Sequence, residues 1–293
     1  MLRMFRSGVW DEQFESKHDW PSTTPRVRYA LCSIPRSGSH FLGHLLHAAG
    51  CFGYPLEYFN PLNFPEWRRR AKAAGSPDVV TFLESRRTSP NGCFGVKLHY
   101  DHLPAAVNRI GLPELLDGWR FVLLRRNDIL AQAISWERAA QTRAWRSGMA
   151  RRASARYDRA AIAYRLGQVL EQNQGWQRFM VEMGVEPLEL AYEDVVADPA
   201  AAIRRIADLL DVETSPGMEV RSPRTEVQRS RTSDEWRERF VAEMRERHGA
   251  SAARGRWAPD IGIVKRLPLS SRIERVARRQ LRRAGGLFTR ASP

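Results

Sequence analysis

The sequence predicts an α/β fold in which helices flank a central parallel sheet. Three observations carry this reading. The stretch Y-A-L-C-S-I-P-R-S-G-S-H-F-L-G-H-L-L (29–46) runs from a short apolar segment through a small-residue turn into apolar residues at helical spacing. The segment W-R-F-V-L-L-R (119–125) is continuously apolar at its centre, as in a strand covered on both faces. Strand-like runs then alternate with helix-like ones, which parallel pairing requires.

In chain order, residues 1–25 are polar with scattered Trp10, Phe14 and Trp20, and read as a loose N-terminal arm. A strand at 29–34 breaks at Pro35 to His40, and Phe41, Leu42, Leu45, Leu46 and Ala49 mark the helix that follows. The turn signal S-P-N-G precedes a second strand at 92–100. One short helix is expected over 102–116, ending near Gly118, and leads into the strand at 119–125. From Arg156 a long helix is expected, with Ile162, Leu166, Val169, Leu170, Trp176, Phe179 and Met180 on or near one face and Gly184 at its end. E-P-L-E-L-A-Y forms the next strand. A helix then starts at Asp198 as cap with Pro199 first, turning Ile203, Ile206, Ala207 and Leu210 inward. Strand order is not legible.

The chain has 293 residues, enough for one large core. No run approaches the ~18 apolar residues of a membrane span. M-L-R-M-F-R-S-G-V-W-D-E holds no apolar core of signal-peptide length, and the three cysteines form no C-x-x-C. A cytoplasmic location without a disulfide framework or metal site is expected. The net charge is +14, but residues 247–293 hold 12 Lys/Arg against 2 Asp/Glu, leaving only +4 for the rest. The divisions are therefore a 1–25 arm, a 26–246 domain and a 247–293 basic tail. In the tail, Ile273, Val276, Ala277, Leu281 and Ala284 make a narrow apolar stripe among arginines. That pattern suits an anionic membrane surface, here the inner face, or a back-docked or disordered tail. Specific nucleic-acid binding is not expected, because the excess charge lies outside the core and no binding motif accompanies it.

A strand that breaks at a small-residue turn and re-enters as a helix aims backbone N–H groups at one point, which suits a phosphate or similar oxyanion. Arg36 adds a planar cation able to grip such a group twice. The turn lacks the G-K-[S/T] of nucleotide hydrolases, which weakens the alternative of an ATP-dependent P-loop kinase.

P-R-S-G-S-H resembles the P-K-S-G-T-T loop of sulfotransferases, whose donor is 3′-phosphoadenosine 5′-phosphosulfate (PAPS). L-R-R-N-D-I-L-A-Q-A-I-S-W (124–136) resembles their 3′-phosphate segment, and L-A-Y-E-D-V-V-A-D-P (190–199) their Y-E-D-L-x-x-D-P signature. R-S-G-S at 36–39, V-K-L at 96–98, 138–145 and R-T-S-D-E-W at 231–236 are similar, in the same order, to motifs of the bacterial trehalose 2-sulfotransferase-like family. The likeness spans about Arg26 to Phe240. It implies a P-loop nucleotide-kinase-like core and a PAPS-dependent transfer of sulfate to a carbohydrate hydroxyl, of trehalose, another saccharide or a glycolipid, by a homodimer.

The resemblance also implies roles. The N–H groups of Ser37, Gly38, Ser39 and His40 would cradle the 5′-phosphosulfate, with Arg36 in place of the catalytic Lys. Arg125 or Arg126, Gln132 and Ser135 match the 3′-phosphate site; a family Ser between Asp128 and Ser135 is Ala131 here. Gln228 and Arg229 fall where relatives bring a loop over the nucleotide. Tyr54, Trp136, Arg138, Gln141, Arg143 and Trp145 are acceptor-site candidates. The family's base is the Glu of a G-E-P segment, which reads Gly53-Tyr54-Pro55 here. Two replacements stand nearby: Glu57, and His99 in V-K-L-H, which is similar to the K-T-H of cytosolic sulfotransferases whose His is the base. A neutral imidazole accepts protons at pH 7 without tuning, so His99 is expected as base and Glu57 as the acceptor's orienting group, with Glu57 as base the alternative. Lys97, two residues before His99, would share its sheet face and approach the sulfuryl group.

Overall fold

The computed structural model describes residues 11–145, 149, 153–214 and 231–253. Four strands form one parallel sheet in the order β2-β1-β3-β4: β1 is Val27–Ser33, β2 Cys93–His99, β3 Trp119–Arg125 and β4 Leu188–Ala191. Register places Ser33 beside His99 and Leu31 beside Lys97. Side chains alternate across the sheet, so β1 sends Ala30 and Cys32 to one face and Tyr29 and Leu31 to the other.

The face with Tyr29 and Leu31 is covered by α1 (Ser39–Ala48), through Phe41, Leu42, Leu45 and Leu46. α8 (Tyr192–Ala197) and α9 (Pro199–Leu210) join it, through Val195, Ile203, Ile206 and Leu210. The opposite face is covered by α2 (Phe64–Ala73), α3 (Val79–Arg87), α4 (Leu103–Ile110), α5 (Leu112–Gly118) and α7 (Arg159–Met183). α6 (Ile129–Thr142) packs beside α7, and α10 (Arg231–Ala253) lies against α6.

The caps follow local chemistry. The Asp198 carboxylate accepts from Ala201 N–H at 2.8 Å with Pro199 opening α9, and Gly184 ends α7 at φ 64°. Asp78 caps α3 through Val80 and Thr81 N–H at 2.7 and 2.9 Å.

Four expectations are corrected. The helix expected over 102–116 is two helices, because Gly111 at φ 97° breaks the chain and Pro113 lacks the N–H a continuous helix needs. Tyr192 opens α8 instead of ending a strand. Leu170 is 45% exposed and lies off the buried stripe of α7. Part of the N-terminal segment, expected to be loose, is docked: Phe14 is buried against Trp67 with ring centres 4.8 Å apart, and the Arg87 guanidinium donates to the Gln13 carbonyl at 2.9 Å. The basic stripe at 271–288 lies outside the described residues, and α10 crosses the 246/247 division drawn from charge.

Candidate active site

The turn between β1 and α1 carries two left-handed residues, Arg36 at φ 65° and Gly38 at φ 88°. Alternating handedness points successive N–H groups into one concavity, and an arginine held there costs roughly 1–2 kcal/mol. Gly38 is required twice over. Its φ suits glycine, and an added Cβ would lie 2.1 Å from the Tyr192 ring, which covers the turn. The Ser37 N–H bonds the Ile34 carbonyl at 3.3 Å and closes the turn, so it leaves the expected cradle. Ser39 and His40 are the first two residues of α1, ahead of its first i→i−4 bond, from Leu42 N–H to the Gly38 carbonyl at 3.1 Å. The Ser37 hydroxyl is fully buried without a hydrogen-bond partner, as a group awaiting an anion would be.

Three guanidinium groups converge on this turn. Arg36 donates to the Ser135 hydroxyl at 3.0 Å and to the Trp145 carbonyl. Burial, with the nearby charges of Arg126 and Arg138, pulls Arg36 down to about 10 against a raising contribution from Tyr192. Like charges gathered in a partly buried site favour an anion between them. The Arg126 guanidinium sits 5.1 Å above the Tyr192 ring, and its Nε is buried without a partner. Arg125, the other strand-end candidate, turns to Glu189 of β4 and forms an ion pair. Of the two adjacent arginines, Arg126 is the one at the cradle.

Gln132 and Ser135 act one step behind the anion position. The Gln132 amide donates to the Pro35 carbonyl at 2.8 Å, and Ser135 holds Arg36. α10 is clamped over this corner: Arg237 grips both Asp128 oxygens at 2.7 Å, and Arg138 donates to Ser233. Asp128 also caps α6 through Ala131 N–H at 3.0 Å. Burial alone would raise its carboxyl, but Arg237 and the cap bond outweigh it and lower it. Gln228 and Arg229 lie outside the described residues.

Beside the cradle, at the C-terminal end of β2, three further groups meet. The segment after α1 forms a bridge at Leu56 with Val96, and the Lys97 N–H bonds the Leu56 carbonyl at 2.9 Å. Glu57 is thereby set above Lys97 and His99. Its Oε1 receives the Lys97 ammonium at 2.9 Å and His99 Nε2 at 3.2 Å; its Oε2 receives the Asn60 amide at 2.8 Å. Burial pushes the Glu57 carboxyl up, but Lys97 first and His99 next hold it well below the usual range. The other His99 nitrogen, Nδ1, is 3.0 Å from the Ser33 hydroxyl. Side-chain exposure is 24% for Glu57, 9% for His99 and 4% for Lys97, so the carboxylate is the member that meets solvent.

The acceptor candidates divide. Trp136 is buried in the core and Gln141 ties Glu137 to the Arg156 backbone, at 2.9 and 3.0 Å, so both serve packing. Arg138 belongs to the guanidinium cluster. Trp145 keeps a partly exposed ring, while Arg143 ends α6 in a left-handed conformation. Tyr54 is buried, its hydroxyl 3.3 Å from His44 Nδ1 and its ring stacked on His47 at 3.7 Å. His44 in turn meets His40 at 2.8 Å. Ser33, Asn60 and Arg237 were not singled out in the sequence: Ser33 and Arg237 enter through contacts with residues distant in the chain, and Asn60 through Glu57 three residues before it, while Tyr192 stood there only as part of the Y-E-D signature.

The chain is similar over most of its length to known sulfotransferases. The family model for Stf0 sulphotransferase matches residues 28–243. Trehalose 2-sulfotransferase of Mycobacterium tuberculosis (strain ATCC 35801 / TMC 107 / Erdman) is 30% identical over 257 residues, 73% of this chain and 94% of that protein. Trehalose 2-sulfotransferase of Mycolicibacterium smegmatis (strain ATCC 700084 / mc(2)155) is 29% identical over 254 residues, 72% of this chain and 93% of that protein. Among solved structures, the sulfotransferase domain from the curacin biosynthetic pathway matches with a TM-score of 0.42 at 19% identity, covering 67% of this chain and 77% of that one. With the family model covering most of the chain and the curated relatives matched over nearly their full length, the chain belongs to the Stf0 sulphotransferase family and is a sulfotransferase.

Proposed function

We propose that this sulfotransferase moves the sulfuryl group of PAPS to a hydroxyl of a carbohydrate, and that Glu57 receives the hydroxyl's proton. The carrying observation is the adjacency, on neighbouring parallel strands, of an anion cradle and a carboxylate–lysine–histidine cluster. The cradle fits a phosphosulfate: a buried Ser37 hydroxyl without a partner, helix-start N–H groups, and the Arg36, Arg126 and Arg138 charges. When bound, the donor supplies the sulfuryl group and a nucleotide that leaves with the electrons of the broken S–O bond.

The chain's own groups then have separable tasks. Arg36 and the Ser39 and His40 N–H groups offset charge growing on the leaving oxygen; fixed donors aimed at developing charge are the strongest catalytic device in related phosphoryl transfer. Arg126, positioned over the Tyr192 ring, would hold a phosphate of the donor. Lys97 is placed to serve both Glu57 and the transferring group. Glu57 is favoured as base over His99 because each imidazole nitrogen spends its single site on Ser33 or Glu57, whereas three donors leave the carboxylate a free acceptor site and its side chain is the most exposed of the cluster. A carbohydrate acceptor is supported by the relatives, which act on trehalose. The loss of their G-E-P carboxylate to Tyr54, with Glu57 three residues on, leaves room for a different sugar or a glycolipid.

The test has two stages. Calorimetry with adenosine 3′,5′-bisphosphate should show binding; no uptake by the intact protein refutes the donor assignment. Labelled PAPS with a panel of saccharides and glycolipids should then label one class. In that assay Glu57→Gln should abolish turnover while retaining nucleotide binding. Loss of turnover in His99→Asn alone, with Glu57→Gln active, would return the base role to His99.

A further inference from the structure

Ser33 lies at the end of β1 with its hydroxyl 3.0 Å from His99 Nδ1, and its side chain is 1% exposed. Its position is tightly determined. The Ser33 carbonyl accepts from the Trp176 indole at 2.8 Å, and parallel pairing sets Ser33 opposite His99. On the far side of the ring, His99 Nε2 faces Glu57 Oε1 at 3.2 Å. That carboxylate already receives the Lys97 ammonium at 2.9 Å and the Asn60 amide at 2.8 Å. A carboxylate so surrounded only accepts hydrogen bonds, so the proton on the neutral ring must sit on Nε2. Nδ1 is then a bare acceptor inside the protein and needs a donor, or its burial is costly. The Ser33 hydroxyl is that donor.

We infer that Ser33 is a positioning residue: its hydroxyl gives the bare Nδ1 of His99 the donor it needs, which holds the ring where its Nε2–H meets Glu57 and orients the carboxylate toward the acceptor. The inference rests on the proposed role of Glu57. A hydroxyl suits the task because it rotates. It donates to Nδ1 when the ring is neutral and accepts from Nδ1–H if the ring becomes charged, so neither state leaves a buried group unpaired. The other groups around the ring are Lys97, on the same strand face, and His102, whose ring centre is 5.2 Å away. His102 is held down to about 4 by burial and by His99, so it stays neutral and does not compete for the proton on Nε2. The two outer members of the cluster are thus fixed by charge, and the inner one by a hydroxyl.

The test reads the tautomer directly. Nitrogen-15 histidine-labelled protein at pH 8, with His99 assigned by difference from His99→Gln, should show a protonated Nε2 and a bare, hydrogen-bonded Nδ1. Ser33→Ala should keep the proton on Nε2 but move the Nδ1 resonance to that of a bare nitrogen without a hydrogen bond, and Ser33→Thr should restore the wild-type pattern. Adenosine 3′,5′-bisphosphate affinity should stay within about twofold in both variants. With trehalose as acceptor, kcat should fall about tenfold in Ser33→Ala at unchanged KM for PAPS. Protonation at Nδ1 in the wild type, or an unchanged Nδ1 resonance in Ser33→Ala, overturns the inference. So does a loss of nucleotide binding in Ser33→Ala, which would mark a merely structural residue. Absent nucleotide binding in the wild type would instead refute the donor assignment and leaves the tautomer readout to judge Ser33 independently.

Discussion

Replacing Lys97 by Met removes one charge from the centre of the cluster and keeps a side chain of similar length. The pair it breaks is short, 2.9 Å, with the ammonium 4% exposed and the carboxylate 24% exposed. Removing one partner of a buried pair costs about 3–5 kcal/mol when the other is left uncompensated. Glu57 keeps His99 and Asn60 as donors and its side chain is part-exposed, so the cost falls below that range, to about 2–3 kcal/mol at pH 7. The pH dependence has a definite sign. A carboxyl held below its ordinary value stabilises the fold fully above that ordinary value, and the contribution is lost as pH falls through the folded one. Without Lys97 the folded value rises, so in the variant the acid loss starts at the same ordinary value, is complete at a higher pH and is smaller in total. Urea unfolding of wild type, Lys97→Met, Glu57→Gln and the double variant between pH 3 and 8 measures both effects. The double variant should be more stable than Lys97→Met plus Glu57→Gln additivity predicts, by at least about 1 kcal/mol. A coupling below about 0.5 kcal/mol, or an acid limb that does not move, refutes the reasoning.

Three further outcomes are expected. Gly38→Ala forces a Cβ into the Tyr192 ring and a left-handed alanine, so it should lose adenosine 3′,5′-bisphosphate binding and several degrees of melting temperature. Arg126→Ala should weaken that nucleotide by more than tenfold in calorimetry, whereas Arg125→Ala, which loses only the contact with Glu189, should stay within about twofold. Asp128→Ala removes a helix cap and both Arg237 contacts, and should cost about 2 kcal/mol in urea unfolding, most of it restored by Asn at the cap but not at Arg237.

Local pattern explains why much of the frame was legible. The turn at 34–38 is written in small residues between a strand and a helix. The caps at Asp198 and Gly184 act over three or four residues, within reach of a sequence window. Where expectation failed, the deciding contact was remote. The two helices at 103–118 were merged because Gly111 was not weighed as a break, although the repeated Leu-Pro that opens each half was visible. Phe14 looked like an isolated aromatic until Trp67 covered it. Trp136 and Gln141, grouped with acceptor residues by motif, are occupied by the core and by the Arg156 backbone.

By itself the sequence determined the alternation of strands and helices, the position of the anion-binding turn and the family motifs. All of these are expressed over a few residues through backbone preference, side-chain period and small-residue geometry. The tertiary structure alone decided which of two adjacent arginines faces the cradle, because neighbouring side chains at a strand end point opposite ways. It also decided that Ser33, Glu57, Lys97 and His99 form one chain of hydrogen bonds. These residues come from three separate segments, and only the parallel register of β1 against β2, with the Leu56 bridge, brings them within bonding distance.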